Sequence, residues 1–332
     1  MSVTIKDVAK MAGVSVATVS RMLNGTTTVS TAAAEKIKQS IEDLGYSPNF
    51  LGRNLRRSET NIILAIIPAA EQSFYNEVLR GMQNTALKYN YDLLIGISNA
   101  NYDTEKRLLS MLTNRVVDAA VILGSKLTGD ELNSLGDRFP IALCCERVDG
   151  ASVLTVTVDD ENASFAAVQA VINKGHRRIG LVTVKAPVPS ALSRKIGYIN
   201  ALERNNILLN EDYIFSGGYD YDNAQTAFSY FASLKEPPTA ICCVSDMLAV
   251  GVIKAAITSG TEYGSKLSVV GFDNIPLAGL YTPGLATVEQ PGFTLGKTVI
   301  EGLIKNKNND RKENNYIKLP YKFIERESLK DF

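Results

Sequence analysis

Thr4-Ile-Lys-Asp-Val-Ala-Lys-Met-Ala-Gly-Val-Ser-Val-Ala-Thr-Val-Ser-Arg-Met-Leu-Asn24 reads as two short helices joined by a tight turn. Ile5, Val8 and Ala9 share one side of the first helix, Gly13 and Val14 make the turn, and Ser15 stands where an N-cap hydroxyl would satisfy free N–H groups of the second. In that second helix Val19, Met22 and Leu23 face inward, which leaves Val16, Ala17, Ser20 and Arg21 outward. An outward face of this kind is what the major groove of DNA would meet. A polar-faced helical hairpin is common, so the continuation matters.

Thr31 to Leu44 continues as a third helix closed by Gly45, and Tyr-Ser-Pro-Asn-Phe-Leu-Gly-Arg-Asn-Leu-Arg-Arg follows from Tyr46 to Arg57. With Thr4–Asn24, Tyr46–Leu55, Lys174-Gly-His-Arg-Arg-Ile-Gly180 and Gly271-Phe-Asp-Asn274, the chain resembles the lactose repressor (LacI/GalR) family of bacterial transcription regulators over its whole length. The resemblance implies an all-α helix-turn-helix headpiece followed by an α/β, two-lobed, periplasmic-binding-protein-like effector domain whose chain crosses between lobes three times. The expected division is 1–47 for the headpiece, 48–60 for a hinge helix and linker, and 61–332 for the body. Its first lobe would hold about 61–158 and 290–320, and its second about 159–289 and 321–332. The partners expected are double-stranded DNA with a near-palindromic operator, a small-molecule effector of sugar type, and a second copy of the chain.

The DNA-binding residues expected are Thr4, Ser15, Val16, Ala17, Thr18, Ser20, Arg21 and Asn24 in the headpiece, with Asn49, Arg53 and Leu55 in the hinge. By resemblance Val16, Ala17 and Arg21 set base preference, and Leu55 matches the position that wedges between base steps. The family's hinge usually reads Ala-Arg, whereas Gly52-Arg53 stands here, so this hinge is expected to be less helical away from DNA.

Charge placement fits a small basic headpiece. The 332 residues are formally neutral, but residues 1–60 hold eight Lys or Arg against five Asp or Glu, a net +3 that the rest of the chain offsets. A 45% hydrophobic chain of this length suffices for two or three packed domains. The first apolar residues alternate with Lys6, Asp7 and Lys10 in helical period, and no run reaches membrane-spanning length, so a cytoplasmic protein without a signal peptide or membrane contact is expected. The four cysteines form two adjacent pairs, Cys144-Cys145 and Cys242-Cys243, in apolar strand-like runs. Neighbouring strand residues point to opposite faces, so these read as small buried hydrophobes in a reducing compartment, with no metal site.

Beyond Asn61, short aliphatic runs alternate with helical segments. The strands expected are 62–67, 92–97, 119–123, 141–145, 179–184, 240–244 and 267–271. Helices are expected near 75–89, 104–114, 161–174, 192–205, 221–234 and 246–259, an alternation that argues for parallel sheets covered on both faces. The last residues, from Tyr316 with Pro320, are strand-like and lack the leucine heptads of family tetramers, which points to a dimer.

No catalytic residues and no cofactor are expected. The one histidine, His176, sits near a helix C-terminus, where a structural role is the ordinary one. Gly296-Lys297-Thr298 resembles the end of a phosphate-binding loop, but the position of its leading glycine holds Pro291. An α/β enzyme would therefore lack nucleophile, base and cofactor motif. A pure solute-binding protein is the other alternative, and the N-terminal helix pair speaks against it. Within the regulators, a phosphorylated carrier protein as co-effector or a small-molecule corepressor remains open.

Ligands of open α/β sheets sit beyond the strands' C-terminal ends, where this chain has Glu146 and Arg147, Ser245 and Asp246, and Asp273. The resemblance adds Phe74 and Tyr75 at the start of the body's first helix, and Arg194 ahead of an aromatic in Arg194-Lys-Ile-Gly-Tyr198. The effector set expected is thus Phe74, Tyr75, Glu146, Arg194, Ser245 and Asp273; Arg and Asp bond vicinal hydroxyls while aromatic rings cover an apolar sugar face. Glu146-Arg147 replaces the family's frequent Asp-Arg, and Ser245-Asp246 its Asn-Asp.

Overall fold

The computed structural model describes residues 3–24, 29–46, 59–70, 73–307 and 315–332. The chain divides into two compact units, 1–60 and 61–332. The hinge residues Asn49, Arg53 and Leu55 lie outside the described residues.

The first unit contains α1 (Ile5–Ala12), α2 (Val16–Asn24) and α3 (Thr31–Leu44). Gly13 and Gly45 close α1 and α3 in the left-handed conformation that a glycine adopts without a Cβ penalty. Val8, Ala9, Ala12, Val19 and Ile37 form the centre of a small core, and Ile5, Met22, Leu23 and Ile41 pack round it. Beside so small a core, local bonds tie the starts of α1 and α2: Thr4 donates both its N–H and its hydroxyl to Asp7, and Ser15 Oγ accepts the Thr18 N–H.

The second unit is built from two sheets. The first contains β1 (Ile62–Ile67), β2 (Asp92–Ile97), β3 (Ala119–Leu123), β4 (Ile141–Cys144), β5 (Leu154–Val158) and β11 (Tyr316–Leu319), in the order β11-β5-β4-β3-β1-β2 and parallel throughout. The second contains β6 (Ile179–Val184), β7 (Ile214–Gly217), β8 (Ala240–Cys243), β9 (Ser268–Asp273), β10 (Ala286–Glu289) and β12 (Lys322–Ile324), in the order β12-β10-β9-β8-β6-β7. Only the β10–β12 pair among these is antiparallel.

The intervening helices are α4 (Phe74–Lys88), α5 (Tyr102–Thr113), α6 (Gly129–Gly136), α7 (Asp160–Asn173), α8 (Pro189–Arg204), α9 (Tyr221–Ser233), α10 (Asp246–Ser259), α11 (Glu262–Lys266), α12 (Pro276–Leu280) and α13 (Gly292–Lys307). The chain passes from one lobe to the other between β5 and α7, between β10 and α13, and between β11 and β12. Each lobe clasps the helix that arrives by a crossing. A Cβ on Gly296 of α13 would fall 2.0 Å from the Val78 carbonyl of α4, and one on Gly197 of α8 would fall 2.1 Å from the Glu161 carbonyl of α7. Glycine at these two positions lets the paired helices approach backbone to backbone.

Several boundaries differ from the sequence expectation. The strand expected over 141–145 stops at Cys144, because Cys145 turns into the left-handed region with φ 70°. The strand expected over 267–271 runs instead from Ser268 to Asp273. β5 was not foreseen; its Thr155 and Thr157 mimic an exposed face yet are buried, with their hydroxyls bonded to the Val153 carbonyl and Tyr316. α13 was hidden by Gly292, Gly296 and Gly302, residues of low helix propensity that are used here for packing. No helix among the described residues is long and apolar enough to cross a membrane.

Candidate functional site

On the headpiece, Val16, Ala17 and Arg21 are exposed on one face of α2, while Thr18 and Ser20 are half-buried. Ser15 Oγ and Thr18 Oγ1 lie 2.8 Å apart, so both hydroxyls are partly engaged in starting the helix. Thr4 is engaged likewise at α1, where its bonds hold the Asp7 carboxyl below its ordinary pKa. Asn24 ends α2. A helix that shows small residues in its first turn and one long guanidinium a turn later on the same face can enter a groove closely and reach a base edge.

In the body, polar side chains converge beyond the strand ends. Glu146 follows β4 by two residues and is 7% exposed; its carboxylate accepts the Ser190 N–H at 2.9 Å and the Ser190 hydroxyl at 2.6 Å. Ser190 lies in the first turn of α8, so an acid of the first lobe is held by the electropositive end of a second-lobe helix. Four residues on, and therefore on the same helical face, stands Arg194. Its Nε donates to Asp160 Oδ1 at 2.9 Å, Nη2 lies 2.8 Å from the same oxygen, and Nη1 donates to the Val244 carbonyl at 2.6 Å. The Phe272 ring centre lies 3.7 Å from its Cζ, and Asp273 Oδ1 3.9 Å from Nη1.

The Gly271-Phe272-Asp273 motif thereby acquires a physical reading. A Cβ on Gly271 would sit 2.2 Å from Asp246 Oδ1, so glycine admits that carboxylate. Phe272 stacks on the guanidinium. Asp273 turns with φ 124° toward Arg194 and accepts a 2.7 Å bond from Gln290 Nε2. Asp246 itself braces the loop, with the Ile275 N–H 2.8 Å from Oδ2 and the Thr287 hydroxyl on Oδ1.

The Arg194 guanidinium thus stands near the carboxyl groups of Asp160, Asp273 and Glu146, while Asp246 feels the charge of Arg326 instead. Burial pushes Asp273 up to about 8, aided by the nearby Asp246 and Asp160 charges and opposed by Arg194. Burial likewise lifts Asp246 to about 6 against the Thr287 and Ile275 bonds, and raises Glu146 and Asp160 against the Ser190 bonds and the Arg194 charge respectively. From the first lobe, buried Tyr75 lies within electrostatic reach of Cys145, Glu146, Tyr219 and Asp273, and Phe74 tilts against it at 5.9 Å. Tyr75, Glu146, Arg194 and Asp273 are therefore neighbours. Ser245 stands at the start of α10, where its hydroxyl caps the helix by accepting the Leu248 N–H.

Ser190, Asp160, Tyr219 and Gln290 also belong to this neighbourhood, and sequence reasoning missed them. Ser190 had a local signal, four residues before Arg194 at a helix start; the others are brought in from distant strand ends. His176 is structural: its ring nitrogens meet Thr239 Oγ1 at 2.8 Å and the Lys330 carbonyl at 3.1 Å, and its ring leans on Phe332. The expectation that both cysteine pairs alternate across a strand fails at Cys145, whose left-handed turn brings its sulfur to 3.7 Å from that of Cys144. Among the described residues, no group of three or more His, Cys, Asp or Glu could hold a metal ion.

Comparison with known proteins accounts for both units. Residues 4–49 match the bacterial regulatory proteins, lacI family, and residues 168–329 match the periplasmic binding protein-like domain. Catabolite control protein A of Priestia megaterium is 34% identical over 333 residues, covering 99% of this chain and all of that protein. The HTH-type transcriptional repressor CytR of Escherichia coli (strain K12) is 34% identical over 295 residues, covering 89% of this chain and 86% of the repressor. Among solved structures, a transcriptional regulator CelR–cellobiose complex aligns with TM-score 0.73 at 25% identity, covering 98% of this chain and 99% of that one. The lac repressor dimer bound to operator and an anti-inducer aligns with TM-score 0.87 at 22% identity, over 99% of this chain and 100% of that chain, a likeness of fold. With an exposed reading helix, a two-lobed body and relatives of this identity along nearly its whole length, the chain belongs to the lacI family of bacterial regulatory proteins and is a DNA-binding transcription regulator.

Proposed function

We propose that the protein is a cytoplasmic, dimeric repressor of carbohydrate-use genes that leaves its operator when an uncharged sugar enters the cleft between the lobes of 61–332. The reading rests on Arg194, Asp160 and Asp273 gathered in the second lobe, with Glu146 of the first lobe bonded to Ser190 one helical turn before Arg194 and with Tyr75 of the first lobe nearby. Paired guanidinium and carboxyl groups beside aromatic rings suit vicinal hydroxyls, and a guanidinium already held by Asp160 and the Val244 carbonyl has little left to offer a phosphorylated or carboxylated ligand. The cellobiose in the CelR complex is a neutral sugar of this kind. Phe74 and Ser245 complete the proposed effector set from the cleft's margins.

In this reading the headpiece 1–47 contacts the operator through Thr4, Ser15, Val16, Ala17, Thr18, Ser20, Arg21 and Asn24, with Asn49, Arg53 and Leu55 of the linker 48–60. The edge strand β2 supports the dimer: Leu94, Ile95 and Ile97 are exposed along it, and Leu87 and Tyr89 are exposed just before it, an apolar edge that a second copy would cover.

The test is a binding assay on labelled palindromic DNA, repeated with neutral sugars, sugar phosphates and nucleosides. Release by a neutral sugar supports the reading. Release only by anionic ligands, or DNA binding that requires the small molecule, overturns it.

A further inference from the structure

The two cysteine pairs have the same sequence and opposite geometry. Cys242 and Cys243 lie in extended β8, where alternation sends their side chains to opposite faces of the sheet, and both are buried. Cys144 is the last residue of β4, and the left-handed backbone of Cys145 folds its side chain back until the sulfurs are 3.7 Å apart. Two sulfurs bound to one atom at about 2.3 Å with a near-tetrahedral angle stand roughly 3.4–3.8 Å apart. The pair is therefore already spaced to share one soft atom.

The rest of the site says which atom. A zinc ion takes four ligands, and the described residues offer no third His, Cys, Asp or Glu to join the two sulfurs; Glu146, next in the chain, has both carboxylate oxygens on Ser190. A monosubstituted trivalent arsenical needs two thiols and nothing more. We propose that Cys144 and Cys145 form a dithiol site for such an arsenical, reached through half-buried Cys145 from the side of Tyr75 and Glu146.

The bond balance is simple. The arsenic–oxygen bond and two S–H bonds break, two As–S bonds form, and the oxygen leaves as water with both protons; arsenic remains trivalent and nothing is oxidised. Cys144 bonding and burial raise the Cys145 thiol well above its ordinary pKa, which works against a cage of thiolates around a cation. It does not oppose a condensation that carries the protons away and buries no charge. The organic substituent would project beside Tyr75 and Glu146, so an occupied site should also obstruct the effector, a consequence that rests on the cleft reading above.

Phenylarsine oxide is the probe, added at one equivalent to the folded full-length protein and followed by intact and peptide mass spectrometry. One phenylarsenic group per chain is expected, bridging Cys144 and Cys145 and removed by excess 2,3-dimercaptopropanol. Cys145→Ser and, separately, Cys144→Ala should each lose the adduct while retaining the wild-type melting profile, and a Cys242→Ser/Cys243→Ser variant should keep it. An adduct on Cys242–Cys243, an adduct that survives in folded Cys145→Ser, or no adduct on folded wild type would overturn the proposal.

Discussion

The two lobes share a plan, six strands and a clasped pair of helices, yet Glu146 of the first is held differently from the polar residues that face it from the second. In the second lobe Ser245 caps α10, Asp246 holds Ile275 and Thr287, and Arg194 is fixed by Asp160 and the Val244 carbonyl, all within the lobe. In the first lobe Glu146 finds both of its partners across the cleft, on Ser190. In the proposed reading the second lobe is thus a pre-organised receptor, and the first supplies the contact that depends on how the lobes stand. Only a ligand that binds one lobe arrangement better than another can shift the equilibrium, so this division of labour is what a switch requires.

The largest expected effect tests the rigid side. Arg194→Ala leaves Asp160 and Asp273 buried without their cation and should cost about 3–5 kcal/mol in denaturant unfolding. Effector affinity should fall at least tenfold, while sugar-free operator affinity in the surviving folded protein stays near wild type. If stability is unchanged, the second lobe is not the braced partner.

Asp273 extends that test to pH. Its folded pKa of about 8 lies above the ordinary 3.8, so the group favours folding fully below about pH 4 and loses that contribution as pH rises through about 8. Asp273→Asn should therefore gain stability relative to wild type between pH 5 and 9 in paired thermal melts. Parallel curves would remove Asp273 from the buried network. Arg21→Ala, on the headpiece, should weaken operator binding by about 1–3 kcal/mol and relax preference at one base pair per half-site, with effector affinity untouched. Equal loss on random DNA would reduce Arg21 to a phosphate contact.

The smallest effect tests the mobile side. Glu146→Gln keeps an acceptor for Ser190 but removes the charge, at a cost of about 1 kcal/mol. It should appear as a severalfold change in the sugar concentration for half-release, with the unfolding midpoint nearly constant. A large fall in stability would place Glu146 among the fixed braces and erase the contrast between lobes.

What the sequence disclosed follows from which forces act locally. Fully buried parallel strands such as β1, Ile62–Ile67, announce themselves as unbroken aliphatic runs, and the turns at Gly13 and Gly45 as helix stops. β5 did not, because its threonines meet their bonding needs inside the sheet. Of the cleft, Glu146, Arg194 and Asp273 were legible as polar groups at strand ends or in a motif. Their partners were not: Asp160 is 34 residues from Arg194, and Ser190 is 44 from Glu146. Periodicity reports the face on which a residue lies, not the distant loop that will meet it. Likewise the alternation rule that hid the nearness of Cys144 and Cys145 holds only while φ stays extended.

The three crossings determine how news of the ligand can travel. β1 is the first strand after residue 60, so the chain from the headpiece enters the body by way of the first lobe, and the second lobe is joined to it covalently only at 158–160, 289–292 and 319–322. The lobe proposed to grip the effector most firmly has no direct peptide route to the headpiece. Its posture must be transmitted at those three necks and at the Glu146–Ser190 contact, where the helices locked by Gly296 and Gly197 leave little slack to absorb it. Silent mutants of this regulator, which bind both sugar and operator yet fail to connect them, are therefore expected to map to the necks rather than to either binding surface.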